Sequence, residues 1–205
     1  MEEKKITEQE GLELISQMIQ VTKQHIVKGS GNQFLIYGYM AAVLSVAIYI
    51  LLYMTHNYWW PMGWFLMFLP AIIMAFKGKR NNPVVVTYTY SVIRKVWQVI
   101  MVLFYLTVFV MFVVGILLGK CNFVLMLPLS LLYASIGVAM TGVIIKESCL
   151  IYTPFVGFLF AIYMLMVYAL NNSVEMIWQL YFGLSFVIMM IIPGHILNNK
   201  FKGQC

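Results

Sequence analysis

Apolar runs of about 20 residues, separated by short polar breaks, recur along this chain from Phe34 to Leu197. An α-helix rises 1.5 Å per residue, so a run of roughly 17–25 residues crosses the ~30 Å hydrocarbon core of a bilayer. Six runs have that length: 34–55, 58–76, 96–118, 122–145, 150–170 and 174–197. The breaks at 119–121, 146–149 and 171–173 are only a few residues long, which predicts antiparallel neighbours within one bundle. The expected fold is all-α: a polytopic membrane protein of six transmembrane helices occupying residues 34–205.

The first 33 residues have a different pattern. Thr7 followed by Glu10 is a capping-box signature, and Gly29 supplies a stop, which predicts a helix over 8–28 with a hinge over 28–32. At 100° per residue, Leu12, Leu14, Ile15, Met18, Ile19, Val21 and Ile26 share one half of that helix. Glu13, Ser16, Gln17, Gln20, Lys23, Gln24 and Lys28 occupy the other half. Such a helix buries one face, either in the membrane interface and on the bundle or against a protein partner or second copy through residues 8–28. Its polar face is too weakly basic for a lipid-binding polybasic patch.

A basic connection at 77–83 ends in Asn82 and Pro83, which can cap and open a helix. Residues 86–92 alternate as a strand would, yet they run without a breaker into the third apolar segment. A lone strand beside a bilayer leaves its edges unpaired, so a helix over 83–118 is expected, with Arg94 and Lys95 snorkelling to the headgroups.

Composition agrees with lipid as the solvent. The 205 residues are 62% hydrophobic and 10% charged, against roughly 25% charged in soluble domains. Water-soluble enzymes, disordered tails and disulfide-knit modules are excluded. Cys121, Cys149 and Cys205 lie far apart with no zinc or redox spacing, and they read as thiols. A net charge of +6 could point to nucleic acid, but position decides against it. Counted by alternate sides of the six spans, twelve Lys and Arg fall on the side of the N-terminus and Lys120 alone on the other. That split places both termini in the cytoplasm, and no signal peptide precedes them. Tyr58, Trp59, Trp60 and Trp178 fall at predicted outer boundaries and Trp97 at an inner one, as interfacial aromatics do.

The chemistry is sparse. The span interiors contain no Asp, Glu, Lys or Arg, and Asp is absent altogether. This argues against a proton-coupled carrier, a two-carboxylate hydrolase and a carboxylate-bound metal. Asn172 and Glu175 form a second capping-box pattern at the start of the sixth span. His25, His56 and His195 are too scattered to share a metal, and no cofactor motif is present. Pro193-Gly194 is expected to break the last helix and expose carbonyls beside His195. Pro70, Pro128 and Pro154 kink or end helices. The small-residue pairs Gly38/Ala42, Gly115/Gly119 and Gly157/Ala161 favour packing within the bundle over a dimer face. No repeat relates the two halves, which weakens a transporter reading.

The segments Gly-Ser-Gly-Asn-Gln-Phe-Leu-Ile-Tyr-Gly-Tyr at 29–39 and Ile-Pro-Gly-His-Ile-Leu-Asn-Asn-Lys at 192–200 resemble an uncharacterised family of bacterial multi-pass membrane proteins. The resemblance covers the chain and implies an inner-membrane protein without an assigned activity. Association of such proteins with small winged-helix regulators implies a regulatory or envelope-sensing role. Both segments lie at cytoplasmic boundaries, which makes Asn32, Tyr37, Tyr39, Pro193, His195 and Asn198 the candidate functional residues.

The expected function is therefore non-enzymatic: partner binding, regulation or membrane sensing. The alternative is a channel or carrier for a small neutral or lipophilic solute, lined by Gln98, Ser135, Thr141, Glu175 and Gln179. A lipid-directed enzyme would have His195 as its acid or base.

Overall fold

Every regular element of the described chain is helical. The structure, a computed structural model, describes residues 8–57, 59–70, 72–73, 88–118, 125–171 and 174–202, with the backbone alone for 8–30, 118, 171 and 200–202. The elements are α1 (Glu8–Thr55), a 3-10 helix (Trp60–Phe68), α2 (Tyr88–Leu118), α3 (Met126–Ile145), α4 (Ser148–Tyr152) and α5 (Pro154–Asn171). The last crossing is built from α6 (Trp178–Phe186), a π-helical turn (Val187–Ile191) and α7 (Ile192–Lys202). Among the described residues, five helices are long and apolar enough to span a membrane: Gly31–Thr55, Tyr88–Leu117, Met126–Ile145, Ser148–Leu170 and Trp178–Asn199. The chain is a multi-pass, all-α membrane protein.

Contacts fix the direction of each crossing. Asn32 meets Asn198, so α1 enters and α7 leaves at one end of the bundle, the near end. Phe34 packs on Trp97, ten residues into α2, so α2 also starts at the near end. Two successive helices with the same direction require the chain to recross between Thr55 and Tyr88. The 3-10 helix is the first leg of that return: Trp64 touches Gln179 and Phe182 in the far half, and Phe68 touches Phe104 and Tyr105 midway along α2. At about 2 Å per residue the 3-10 form covers more depth per residue than an α-helix. The segment predicted as the second span is a 3-10 helix over Trp60–Phe68, followed by α-helical residues at 69–70 and 72–73. Its remainder, with the start of the helix expected from Pro83, lies outside the described residues.

The last crossing is the hub. It packs against α1 on one side and α5 on the other, while α3 and α2 follow in order beyond α5. More than half of its span is buried (56%), against 11% for peripheral α2. Trp178, expected at an outer aromatic boundary, is instead inside this hub at 1% exposure, whereas Trp59 is exposed as an interfacial ring should be.

The buried positions of α1 are Gly31, Phe34, Gly38, Ala41, Ser45, Ile48 and Leu52. Their alternating 3-4 spacing is a heptad seam, the pattern of helices that wrap at shallow angles. One row of the seam is small, and each small residue meets the last crossing. A Cβ on Gly31 would lie 3.4 Å from the Gly194 carbonyl oxygen; one on Gly38 would lie 3.3 Å from the Ile191 nitrogen; one on Gly183 would meet the Ser45 hydroxyl. The Gly38/Ala42 spacing therefore matters less than the 31-38-45 spacing. Gly157/Ala161 does pack internally, with Gly157 against Ser135 and Met189, while Gly119 lies outside the described residues.

Several local expectations are corrected. The hinge over 28–32 does not form, because α1 runs unbroken for 48 residues from Glu8 to Thr55. Gly31 is there for close approach to the last crossing, so a glycine read as a stop belongs to a contact. Pro193-Gly194 does not break the last helix either. The π turn just before it widens the backbone, with the Ile192 N–H reaching the Val187 carbonyl, and so admits a ring that cannot donate to position 189. Glu175 does not cap the sixth span: the helix begins at Trp178, Ile177 stands at its N-cap without a side-chain bond, and 3-10 bonds to Glu175 and Met176 carbonyls close the turn. Pro128 sits in the first turn of α3 and Pro154 opens α5, both places where a missing N–H costs little.

Candidate functional site

The near end brings together four of the six residues singled out in the sequence. The amide of Asn198 donates to the Asn32 side-chain oxygen at 2.9 Å. The Tyr39 hydroxyl and His195 Nε2 are 2.7 Å apart, with their rings nearly perpendicular at a centroid distance of 6.0 Å. Helical Cβ atoms tilt toward the N-terminus of their own helix. In an antiparallel pair this tilts Tyr39 and His195 toward each other, and the phenol bridges the remaining gap. Both pairs lie on the exposed rim of the α1/α7 contact and form two polar rungs across it.

The other two candidates serve packing. Tyr37 is half-buried against the core, two residues and about 200° from Tyr39, and Pro193 is buried beneath the rungs. His195 has a phenol as its hydrogen-bond partner, and no group of three His, Cys, Asp or Glu among the described residues could hold a metal. The arrangement clasps two helix ends. His56, by contrast, is a left-handed C-cap residue (φ 50°) whose N–H bonds the Leu52 carbonyl at 3.0 Å and ends α1. The side chain of His25 lies outside the described residues. Cys149 takes part in no disulfide.

The five polar residues proposed to line a cavity are separated by the fold. Ser135 donates to the Leu131 carbonyl at 2.8 Å and faces Met189 Sδ at 3.6 Å. Thr141 donates to the Gly137 carbonyl at 2.7 Å and accepts the Trp97 indole N–H at 3.2 Å. Gly137 makes that second bond possible, since a Cβ there would lie 3.2 Å from the Trp97 ring. Gln179 accepts the Trp64 indole N–H at 2.7 Å. Glu175 is exposed at the far end, and Gln98 is exposed on α2, in an open groove of about 620 Å³ with Arg94, Trp97, Met101, Val102 and Tyr105. Three of these five residues thus make interhelical or local hydrogen bonds and two are exposed. The Trp64 and Trp97 partners were not anticipated; a buried indole N–H usually finds an acceptor, which is the signal that could have found them, although the buried Trp178 N–H has none.

A third feature arises from the continuity of α1. Extended toward the N-terminus in the same 3-4 spacing, the bundle seam passes through positions 27, 24, 20, 17, 13 and 10, which are Val, Gln, Gln, Gln, Glu and Glu. The bundle-facing row turns polar where the bundle ends. The apolar positions 12, 15, 19 and 26, with Thr22, repeat the same spacing displaced by two residues. Two residues turn an α-helix by about 200°. Counting the ~20° per heptad by which an α-helix drifts against a 3.5-residue repeat, the apolar row of residues 12–26 is turned by about 100° from the seam of residues 31–52 along the unbroken helix. Residues 8–30 continue for roughly 35 Å beyond the span at 1.5 Å per residue.

Comparison with protein-family models, with curated proteins and with solved structures finds no match to this chain.

Proposed function

We propose that this protein is a non-enzymatic component of a bacterial inner membrane that docks a protein on its N-terminal helix, in a regulatory or membrane-sensing role. The observation that carries this is the displacement of the apolar face, by about 100° from the bundle seam, along one unbroken helix. A helix hinged at 28–32 would be able to fold its apolar face onto the bundle or lie flat in the interface. On a continuous helix positions 12, 15, 19 and 26 keep a register about 100° round from the bundle seam. Burying each such side chain is worth about 1.5–3 kcal/mol, a strong drive toward a partner. The lopsided placement of Lys and Arg along the sequence supports a cytoplasmic near end, where residues 146, 200 and 202 also lie. The resemblance of the 29–39 and 192–200 segments supports the bacterial inner membrane.

Photo-crosslinking in native membranes from positions 12, 15, 19 and 26 should capture protein, and positions 10, 17 and 24 should capture much less. A complex purified from native membranes that survived deletion of residues 8–28 unchanged would end the proposal.

A further inference from the structure

We infer that the protein docked on this helix is a second copy of the chain, joined as a parallel coiled coil through positions 12, 15, 19, 22 and 26. This rests on the docking role proposed above and names its partner.

Three observations lead to it. Positions 12, 15, 19, 22 and 26 follow the a-d-a-d-a spacing of a heptad, with Leu or Ile at every one except Thr22. The positions flanking this row are Gly11, Ser16, Met18, Lys23 and His25, with Lys23 the single fixed charge. Such flanks offer nothing to a strongly acidic or basic partner, and they set little repulsion between parallel copies. The acids Glu10 and Glu13 sit on the far side of the helix, where two copies keep them apart.

The third observation is the rigid connection. Since α1 is a single helix, the row is held at a fixed height above the membrane span. Two copies inserted with the same topology present it parallel and in register. A seam of about two heptads is marginal between free peptides, because short helices are costly to nucleate. Here the helix is already continued from a packed span. Confinement to one membrane turns association into a near-intramolecular step, with effective concentrations that reach the millimolar range in tethered systems. The bundle seam and the self-pairing row then occupy different sides of one rod, about 100° apart, so both are satisfied together.

The test uses the full chain in lipid nanodiscs and native membranes, with Cys121, Cys149 and Cys205 replaced by Ser. Under mild oxidation Ile19→Cys and Ile26→Cys should give disulfide-linked pairs, and Gln17→Cys and Gln24→Cys should give at least tenfold less. Ile19→Asp should abolish pairing reported from Ile26→Cys, and Gln17→Asp should leave it unchanged. Equal yields from positions 17 and 19, or no pairing at 19, overturn the inference. The photo-crosslinks separate the two failures: capture of a different protein from position 19 keeps the docking role and removes self-pairing, and no capture from any of the apolar positions removes both.

Discussion

Asn198 reaches across the near end of the bundle and donates to Asn32 at 2.9 Å, while its own oxygen occupies the space a Cβ on Gly31 would need, 2.6 Å away. Glycine at 31 is thus what lets the last helix approach closely enough for the two asparagines to pair. A larger residue at 31 should separate the helix ends and break the rung. Gly31→Leu is expected to cost about 1–3 kcal/mol, as overpacking does, with Gly31→Ala milder because the opposing atom ends a side chain that can turn. The measurement is the denaturing-detergent midpoint of each variant. A second readout is an Asn32→Cys, Asn198→Cys pair, which should link under oxidation in the native background and fail to link beside Gly31→Leu.

Gly142 faces backbone, where nothing can turn aside. A Cβ there would lie 2.6 Å from the Leu150 carbonyl carbon and 2.8 Å from the Ile151 nitrogen. Gly142→Ala should therefore destabilise by about 1–3 kcal/mol and loosen the α3/α4 hairpin. Gly63 meets only the end of Ile48 at 3.4 Å, so Gly63→Ala should change stability by less than about 0.5 kcal/mol. Matched thermal unfolding of the two variants checks this, and similar losses in both would contradict it.

The Trp64 indole donates to Gln179 at 2.7 Å between the 3-10 helix and the last crossing. Hydrogen bonds inside membranes average about 0.6 kcal/mol and reach about 1.7 kcal/mol in double-mutant cycles. A cycle of Trp64→Phe with Gln179→Leu should give a coupling inside that range. Gln179→Leu alone should also leave the indole N–H without a partner, so it is expected to cost more than its removal together with Trp64.

Five of the six spans and the all-helical class were legible because apolar length is a direct imprint of bilayer thickness. Boundaries failed where a residue had two physical meanings. Gly29 read as a stop and Gly31 as part of a hinge, yet a glycine such as Gly31 also serves where two backbones meet, and only the opposing helix tells which. Pro193-Gly194 read as a break because the sequence does not announce the π turn at 187–191 that accommodates it. Trp178 read as interfacial from its place in the run, whereas the depth of the last crossing within the bundle put it inside. The near-end residues Asn32, Tyr39, His195 and Asn198 were singled out because two segments that carry a family resemblance lie at predicted membrane boundaries. Their pairing as two rungs came from antiparallel geometry. The displacement of the α1 stripe was written in the spacing all along, but it had no meaning until the helix proved continuous.

Lys146 closes α3 in the left-handed region at φ 62°, and the chain leaves through a paired bond pattern: Glu147 N–H to the Gly142 carbonyl at 3.0 Å and Lys146 N–H to the Val143 carbonyl at 3.3 Å. This is the Schellman arrangement, in which glycine is the usual residue because it carries no Cβ. A side chain in that conformation costs roughly 1–2 kcal/mol. Lys146→Gly should remove the strain and raise stability by up to about 1 kcal/mol after the added freedom of the unfolded glycine is counted. Lys146→Asn should be close to neutral, since asparagine tolerates the left-handed region, and Lys146→Val should destabilise because β-branching crowds it further. None of the three should reverse the protein in the membrane, because the cations on that side still outnumber Lys120 by a wide margin. Detergent-denaturation midpoints in the order Gly, Asn, Val from most to least stable, with unchanged cysteine accessibility at the near end, are the expected outcome. An inverted order would show that the Lys146 side chain, rather than its backbone, governs this turn.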